Sequence, residues 1–177
     1  NAIGVRNLST ACRQHNITLV HFSTDYVFGE DRNRTTPYTE TDTPGPQSVY
    51  AVSKLAGEYI MRYLLSKYYI IRTSGLYGSA QSSSKSDNVI NAILKRTRQR
   101  SDIRAVENQI LSPTYTVNIA ENLKELLKTT HFGLYHMTSG GQCSWYEFVS
   151  EVVRLLQSPI NVIPVQAAAY YTQVKRP

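Results

Sequence analysis

The sequence predicts an α/β fold with a largely parallel sheet, and three observations lead to that prediction. Segments with the apolar spacing of a helix alternate with short apolar runs that are typical of buried strands. The chain has 177 residues, of which 41% are hydrophobic, so it is long enough to bury a core. It contains no internal repeat and no linker long enough to separate independent domains. Helices that alternate with short strands in this way imply parallel strands joined by helical crossovers.

The first half of the chain contains two pairs of a helix and a strand. Residues 2–15 place apolar side chains three and four positions apart, which predicts a helix, and residues 17–22 form an apolar run that predicts a buried strand. A polar, proline-rich connection covers residues 24–47. Apolar positions then recur with a helical period over residues 49–65, and residues 68–71 predict the next buried strand.

The second half repeats this pattern more weakly. It predicts a serine-rich loop over residues 79–86, helices over 88–100 and 117–128, and short strands over 103–106, 134–137 and 161–165. Ser144 and Glu147 have the spacing of a capping box, in which each side chain bonds a free backbone amide at the start of a helix. This last helix is expected to run to about Leu156.

Charge and composition exclude some classes of partner. The net charge of +6 suits an anionic ligand such as a nucleotide. The densest basic run, residues 95–104, ends a predicted helix, where cations complement the helix dipole, and no nucleic-acid-binding motif accompanies it. No apolar run approaches the roughly 18 residues that a membrane span needs. We therefore expect neither a nucleic acid nor a membrane as a partner.

The cysteines and histidines indicate neither a disulfide nor a metal site. Cys12 and Cys143 lie far apart and outside any metal-ligand spacing, which predicts reduced thiols in a cytoplasmic protein. His136 ends a predicted strand, and no second ligand stands at a suitable spacing from it. The first residues also lack the basic and then apolar layout of a signal peptide.

The stretch QSVYAVSK places Tyr50 and Lys54 four residues apart at the start of a predicted helix, and therefore on one helix face. A phenol titrates near pH 10, so proton transfer near neutrality needs a shift of about 3 pK units, or roughly 4 kcal/mol. A cation about 4 Å away supplies energy of that order at an effective dielectric of about 20. Taken alone, the pair could equally be two stacked residues on a solvated helix face.

The motifs around this pair give it a context. The strand predicted at 17–22 leads into STDYVF, the connection contains PYTE, and the helix reads YAVSKLAGE; IIRTSGLYG, NQILSPTYT, GLYH and a terminal RP follow in that order. These motifs together resemble the extended short-chain dehydrogenases/reductases and, within them, the dTDP-4-dehydrorhamnose reductases. The resemblance covers nearly the whole chain. It implies the carboxyl-terminal part of a Rossmann-like, doubly wound parallel sheet, with the catalytic motif, over residues 1–78. Residues 79–177 would form mainly a small substrate-binding lobe, interleaved with the last strands of the sheet.

The resemblance also implies roles at the predicted ends of the strands. Tyr50 would donate a proton to the C4 carbonyl oxygen of a nucleotide-linked keto sugar as NADPH or NADH delivers hydride to C4. Lys54 would hold the nicotinamide ribose and make Tyr50 a better acid, and the Thr24 hydroxyl would hydrogen-bond the same substrate oxygen. The further residues that would lie beside the cofactor are Ser23, Arg72 and Thr73.

Six more residues match family positions that border the nucleotide sugar. They are Asp25, Tyr26, Val27, Asn88, Gln109 and Arg176. Other readings stay open for four of them, since Val27 could shape a tight turn and Asn88 could cap a helix. Gln109 could brace a loop, and Arg176 could be a surface residue beside the terminus.

The chain also departs from the family pattern. The glycine-rich turn that opens a dinucleotide fold is absent, so we expect this sequence to be the carboxyl-terminal part of a longer reductase. Gly75 stands where the family has an aromatic residue, and Asn108, Leu111 and Val89 replace Asp, Gly and Phe. The first three of these positions fall in or near the substrate pocket, so they bear on which sugar is bound.

Three functions therefore stay open. The leading hypothesis is NAD(P)H-dependent reduction of dTDP-4-dehydrorhamnose to dTDP-L-rhamnose, with homodimerisation left open. The same triad could instead serve an epimerase or dehydratase that reoxidises its cofactor within one cycle. A third hypothesis is a reductase-like regulatory subunit of the kind that partners methionine adenosyltransferase, which binds a partner without turning over sugar.

Overall fold

The computed structural model describes residues 1–31, 34–78 and 88–170. The loop predicted at 79–86 and Arg176 lie outside these ranges. The elements in chain order are α1 (Ala2–Gln14), β1 (Leu19–Thr24), a 3-10 turn (Asp25–Val27), α2 (Val49–Leu64), β2 (Tyr68–Thr73), β3 (Leu76–Tyr77), α3 (Val89–Arg98), β4 (Ile103–Val106), β5 (Ile110–Leu111), β6 (Thr114–Tyr115), α4 (Thr116–Leu126), β7 (Gly133–His136), β8 (Cys143–Ser144), α5 (Trp145–Leu155), β9 (Val162–Val165) and α6 (Ala167–Tyr170).

The chain divides into two compact units. Among the described residues, the first unit comprises Asn1–Thr73 and Glu121–Met137, and the second comprises Ser74–Ala120 and the segment from Thr138 onward. This is a division by compactness. The functional division at residue 78, into a cofactor part and a substrate part, stays a prediction.

The first unit is built on a parallel three-stranded sheet with the strand order β1-β2-β7. The register places Ser23 opposite Arg72, Thr24 opposite Thr73, and Arg72 opposite His136. Because parallel strands end at the same edge of the sheet, these side chains gather at the carboxyl end, where open α/β sheets bind ligands. The predicted α/β class with parallel strands is confirmed.

Helices α1 and α2 pack together against this sheet. Val5, Met61, Leu65 and Ile70 form their common buried core. Burial of these apolar side chains provides the main stabilisation of the unit, at about 1.5–3 kcal/mol for each fully buried side chain. The helix face that α2 turns to the sheet is therefore fixed by packing at its carboxyl-terminal half.

Among its described residues, the second unit holds three pairs of strands. Strands β4 and β9 are parallel, β3 and β6 are parallel, and β5 and β8 are antiparallel. Helix α5 packs on β4 and β9, and the buried residues of this core are Ile93, Ala105, Val149 and Val153. The predicted capping box at the start of α5 is confirmed, because Ser144 and Glu147 each accept a backbone amide of the other.

Two features differ from the pattern read in the sequence. Strand β1 begins at Leu19 rather than residue 17 and continues through Ser23 and Thr24, because these polar residues pair with Arg72 and Thr73 in the ladder with β2. The strands predicted at 103–106 and 161–165 pair with each other instead of extending the three-stranded sheet. Among the described residues, no helix combines the length and the apolar composition needed to cross a membrane.

Candidate active site at the carboxyl end of the sheet

Thr24 is the last residue of β1 and the cap of the 3-10 turn that follows it. Its Oγ1 accepts a hydrogen bond from the Tyr26 amide at 3.2 Å and donates to Asp25 Oδ1 at 3.1 Å. Only 7% of Thr24 is exposed. Turn formation thus fixes the hydroxyl at the ligand-binding edge of the sheet, where its orientation is set by the backbone that it caps.

Tyr50 and Lys54 approach this strand end from α2. The Ser48 side chain caps the helix by accepting the Ala51 amide, which places Tyr50 in the first turn. Tyr50 is 49% exposed, and its ring meets the Tyr26 ring edge to face, with centroids 6.0 Å apart. Lys54 Nζ donates a hydrogen bond to the carbonyl oxygen of Phe22. The structure therefore brings both residues to the segment that carries Thr24.

Lys54 is a partly buried cation. Burial lowers its pKa, and the negative charge of Glu58 acts in the opposite direction. A charge withdrawn from water acts more strongly on its neighbours than a fully solvated one, because the local dielectric is lower. Lys54 is thus suited to act on a phenol on the same helix face.

Ser23 and Arg72, two predicted neighbours of the cofactor, both bond to Glu58. The Ser23 hydroxyl donates to Glu58 Oε1, and Arg72 donates from Nε to Oε1 at 3.0 Å and from Nη2 to Oε2 at 2.7 Å. Arg72 is 4% exposed and Glu58 is 1% exposed. Contact of Ser23 and Arg72 with a cofactor stays a prediction, and in this structure their side chains are committed to Glu58.

Thr73 provides a test of whether a dinucleotide fits here. It ends β2 directly opposite Thr24, and its Oγ1 is buried without a hydrogen-bond partner among the described residues. A buried hydroxyl without a partner costs free energy unless a ligand or water satisfies it. Together with the half-buried Lys54 ammonium, this hydroxyl gives the strand ends the donors that a ribose and its nicotinamide can use. Thr73 and Lys54 at these strand ends therefore fit a nicotinamide dinucleotide.

The predicted sugar-bordering residues are placed differently from one another. Tyr26 lies against Tyr50, as described above, and Asp25 accepts the Thr24 hydroxyl. Val27 is fully buried beside Phe28 and Leu55, a position that favours its turn-shaping role over contact with a sugar.

The remaining predicted residues belong to the second unit or lie outside the described ranges. Asn88 caps α3 by accepting the Asn91 amide at 2.9 Å and donates to the Gly78 carbonyl at 2.9 Å, which is the helix-capping alternative. Gln109 follows β4 and is partly buried. Contact of either residue with a nucleotide stays a prediction.

His136 and Glu40 were not among the predicted site residues, yet they fasten the connection before α2 to the sheet. The His136 amide donates to Glu40 Oε1 at 2.8 Å, and Phe28 stacks on Tyr38 with ring centroids 4.1 Å apart. His136 Nδ1 lies 3.2 Å from the Tyr38 carbonyl oxygen, and Nε2 lies 3.5 Å from Arg72 Nη1. A carbonyl only accepts and a guanidinium only donates, so the ring is neutral with its proton on Nδ1.

Charge effects agree with this tautomer. Burial lowers the pKa of His136, and the positive charge of Arg72 lowers it further, while Glu40 opposes both. Burial alone would raise the pKa of Glu40, but hydrogen bonds from the His136 amide and from its own backbone amide lower it overall. The segment carrying Tyr38 and Glu40 is thereby held to the end of β7.

Glu58 is the other residue that the sequence analysis missed. Its signal lay in the motif YAVSKLAGE, where Glu58 stands four residues after Lys54 and eight after Tyr50. An acidic residue on the helix face that turns toward the core requires a buried partner. That partner, Arg72, is distant in sequence and cannot be deduced from the spacing.

A cavity of about 350 Å³ lies beside the same connection, lined in part by Glu30, Asp31, Arg34 and Asp42. Three carboxylates against one guanidinium do not suit a diphosphate, because like charges repel. Arg34 is further occupied by an ion pair with Asp42 at 2.9 Å. Among the described residues, no group of three or more His, Cys, Asp or Glu side chains could hold a metal ion.

The whole chain matches the family model described as the RmlD substrate binding domain, over residues 1–177. It is 34% identical over 177 residues to the spore coat polysaccharide biosynthesis protein SpsK of Bacillus subtilis, covering 100% of this chain and 60% of that protein. It is 35% identical over 167 residues to a dTDP-4-keto-6-deoxy-D-glucose reductase of Streptomyces niveus, covering 93% of this chain and 56% of that protein.

Two solved structures that resemble this chain are also sugar-nucleotide reductases by name. A dTDP-4-dehydrorhamnose reductase from Bacillus anthracis, solved in complex with NADP, superposes with a TM-score of 0.92 at 36% identity and covers 100% of this chain and 60% of its own. A dTDP-4-dehydrorhamnose reductase from Clostridium acetobutylicum superposes with a TM-score of 0.90 at 34% identity, with the same coverage. The chain thus spans about 60% of the length of the proteins that it resembles.

Proposed function

The chain belongs to the RmlD substrate binding domain family, and from this membership we propose that the whole protein reduces the C4 keto group of a nucleotide-linked deoxysugar with NADPH or NADH. The proposed reaction converts dTDP-4-dehydrorhamnose to dTDP-L-rhamnose. The names of the similar proteins support the substrate class, and the NADP complex of the Bacillus anthracis reductase supports the choice of cofactor.

The observations that support the proposal are that Tyr50 contacts Tyr26 and that Lys54 bonds the Phe22 carbonyl, two residues on either side of Thr24 in sequence. The cofactor, when bound, supplies the hydride that reaches C4. Tyr50 donates its phenolic proton to the carbonyl oxygen as that oxygen gains charge, and Lys54 favours loss of the proton by its own positive charge. The Thr24 hydroxyl, which donates to Asp25 Oδ1 in this structure, turns its proton to the same oxygen when the sugar is bound. Tyr50 and Lys54 stand on α2 before charge develops, and such prior placement favours electrostatic stabilisation of a transition state.

The substitution Tyr50→Phe in the whole protein tests this proposal. It is expected to lower kcat at least about a hundredfold, because a positioned proton donor contributes about 10²- to 10⁴-fold, and to leave binding of dTDP nearly unchanged. Tyr63→Phe on the same helix is the matched control, because Tyr63 is 88% exposed and is expected to keep full turnover. Turnover in the Tyr50 variant that equals wild type would contradict the assignment.

Net consumption of NADPH separates the reductase from the other hypotheses. A reductase consumes one NADPH for each sugar reduced, whereas an epimerase or dehydratase with the same triad restores its cofactor in each cycle. A regulatory subunit consumes none. The proposed partners are therefore the nucleotide sugar and the cofactor, without a nucleic acid or a membrane, and the proposed location is the cytoplasm. The free thiols of Cys12 and Cys143 support that location.

Homodimerisation is also part of the proposal, and α2 supports it. Four apolar side chains share one face of the helix although each is at least half exposed: Val49, Val52, Tyr59 and Tyr63. A second copy of the chain would cover this stripe. Sedimentation velocity on the whole protein is expected to give a dimer, and the combined change Tyr59→Ser and Tyr63→Ser is expected to give a monomer. A wild-type monomer at all concentrations would contradict a dimer.

A further inference from the structure

Helix α2 carries a line of three polar side chains that leads from solvent into the core. Tyr50, Lys54 and Glu58 stand four residues apart and therefore on one face. Their exposure falls along the helix, from 49% at Tyr50 through the partly buried Lys54 to 1% at Glu58. The proposed reaction uses the first two and leaves Glu58 without a role.

Glu58 is held by three hydrogen bonds. Oε1 accepts from Ser23 Oγ and from Arg72 Nε, and Oε2 accepts from Arg72 Nη2, so the guanidinium binds in the bidentate geometry that fixes a carboxylate most firmly. Ser23 and Arg72 are opposite residues on neighbouring strands. The carboxylate is thus anchored to the sheet at the strand end where Thr24 and Thr73 lie.

Stability alone does not account for this arrangement. Desolvating two charges costs so much that well-packed apolar residues of similar volume often replace a buried ion pair without loss of stability. The place of Glu58, one helical turn from Lys54 on the same face, indicates what the carboxylate does there.

We propose that Glu58 is a positioning residue for the Tyr50 and Lys54 pair: anchored by Arg72 and Ser23, its carboxylate keeps Lys54 charged and in place beside the end of β1. Lys54 Nζ donates to the Phe22 carbonyl on β1, and Glu58, one helical turn away on the same face of α2, acts on the ammonium group through its negative charge. The inference rests on the proposed function, because the charge of Lys54 matters there through Tyr50.

The surroundings of Lys54 show why it needs this carboxylate. His21 on β1 is a titratable neighbour of Lys54 among the described residues, and it is neutral at pH 7 because burial and then the charge of Lys54 lower its pKa to about 4. Burial lowers the pKa of Lys54, and Glu58 opposes that effect. Removal of the Glu58 charge takes away the attraction that opposes the effect of burial, so the half-buried ammonium group releases its proton more readily.

The labelling rate of Lys54 measures this effect without any substrate. Trace acetic anhydride acetylates only the neutral amine, so the rate against pH, followed by mass spectrometry of the Lys54 peptide, gives a midpoint for its proton and a plateau for its accessibility. In Glu58→Gln the midpoint is expected to fall by about one pH unit, which makes labelling at pH 8 about tenfold faster. Glu58→Asp keeps the charge and is expected to stay within about threefold of wild type. Glu151→Gln, an exposed carboxylate on α5, is the matched control and is expected to change nothing.

An unchanged midpoint in Glu58→Gln would overturn the inference, and so would equal shifts in Glu58→Gln and Glu58→Asp, which would indicate a merely structural role. Where Glu58→Gln fails to fold, the double change Glu58→Gln and Arg72→Met removes the unpaired guanidinium and is expected to give the same fall in midpoint. Failure of the proposed function is a separate outcome, because the labelling needs no turnover. In an active whole protein, Glu58→Gln is also expected to move the basic limb of the kcat profile to lower pH, with KM for the sugar nearly unchanged.

Discussion

Arg72→Met removes one partner of a buried ion pair and tests how the carboxyl end of the sheet is held together. In wild type, Arg72 gives Glu58 two charged hydrogen bonds, at 3.0 and 2.7 Å, where both side chains are almost fully buried. After the change, the Ser23 hydroxyl is the remaining hydrogen-bond donor to the carboxylate among the described residues. Methionine fills much of the space of the arginine stem, so the main loss is the charge partner rather than packing.

The expected cost is about 3–5 kcal/mol, because breaking a buried pair leaves an uncompensated charge in the core. Two hydrogen bonds to charged groups, at about 1.5–3 kcal/mol each, give a similar range of about 3–6 kcal/mol. With a urea slope of roughly 2 kcal/mol per molar, the midpoint of unfolding should fall by about 1.5–2.5 M. The amides of β2 are expected to exchange with solvent about 10²- to 10⁴-fold faster.

The measurement is hydrogen exchange followed by mass spectrometry on peptides from β1 and β2. Arg154→Met provides the control, because Arg154 and Glu151 form an ion pair of the same type at the same 2.7 Å distance, but on the exposed face of α5. Exposed pairs contribute little, so exchange in α5 should stay within about threefold of wild type. Exchange in β2 that changes less than tenfold in Arg72→Met would refute the reasoning.

A double change separates charge from packing. Glu58→Leu together with Arg72→Met removes both charges and leaves the Ser23 hydroxyl without its acceptor. Its stability should return to within about 1.5 kcal/mol of wild type, since a lost neutral hydrogen bond costs about 1 kcal/mol. A double variant as unstable as Arg72→Met would show that packing carries the loss.

Three further predictions concern stability. Burial of His21, and secondly the charge of Lys54, lower the pKa of its side chain to about 4. The unfolded chain therefore binds more protons than the folded chain below about pH 6.5, the usual pKa of a histidine. The part of the free energy of unfolding that depends on a neutral His21 is complete above that pH and is lost as the pH falls toward 4. After discounting for its partial exposure, urea unfolding should show about 1 kcal/mol less stability at pH 5 than at pH 7, and a His21→Gln variant with the same pH dependence as wild type would argue against this cause. Gly4→Ala should stabilise α1 by up to about 1 kcal/mol, because nothing lies within 4 Å of the added methyl group. Gly57→Ala should lose that gain, because its methyl group would lie 3.2 Å from Val5. Equal melting temperatures for the two variants would contradict this account. Gly75 has a φ of +50°, and a Cβ there would lie 2.6 Å from a Leu111 methyl group, so Gly75→Ala should cost about 1–2 kcal/mol and Leu111→Ala should recover part of it in the double variant.

Local pattern predicted the helices and the main strands well, because amphipathic spacing and capping act within a few residues. The Ser144 and Glu147 capping box is an example, since all of its atoms belong to one turn. The sequence predicted that β1 ends at residue 22, because Ser23 and Thr24 are polar. The strand continues through both residues because they pair with Arg72 and Thr73, on a strand about fifty residues away. Among the described residues, four two-residue strands were missed for the same reason, because each exists only through its partner strand.

The candidate site shows the same difference between local patterns, which could be predicted, and contacts between distant residues, which could not. Tyr50 and Lys54 could be placed together because one helix carries both, and Thr24 could be placed at a strand end because strand ends collect ligand-binding residues. The use of Ser23 and Arg72 by Glu58 could not be foreseen, because an ion pair between a helix and a strand depends on the three-dimensional register. The role of Asn88 as a helix cap acts within one turn, and the sequence already offered it as an alternative.

The tautomer of His136 limits which residues a descendant of this protein can carry at that position. The imidazole needs a proton toward the Tyr38 carbonyl and a lone pair toward Arg72, on two atoms held apart by a rigid ring. Lysine and arginine have no lone pair to offer, and asparagine carries its donor and acceptor on one short amide. A substitution at residue 136 that lacks this arrangement would therefore remove the side-chain bond to the Tyr38 carbonyl and the acceptor beside the Arg72 guanidinium in a single step, while the backbone amide could still donate to Glu40.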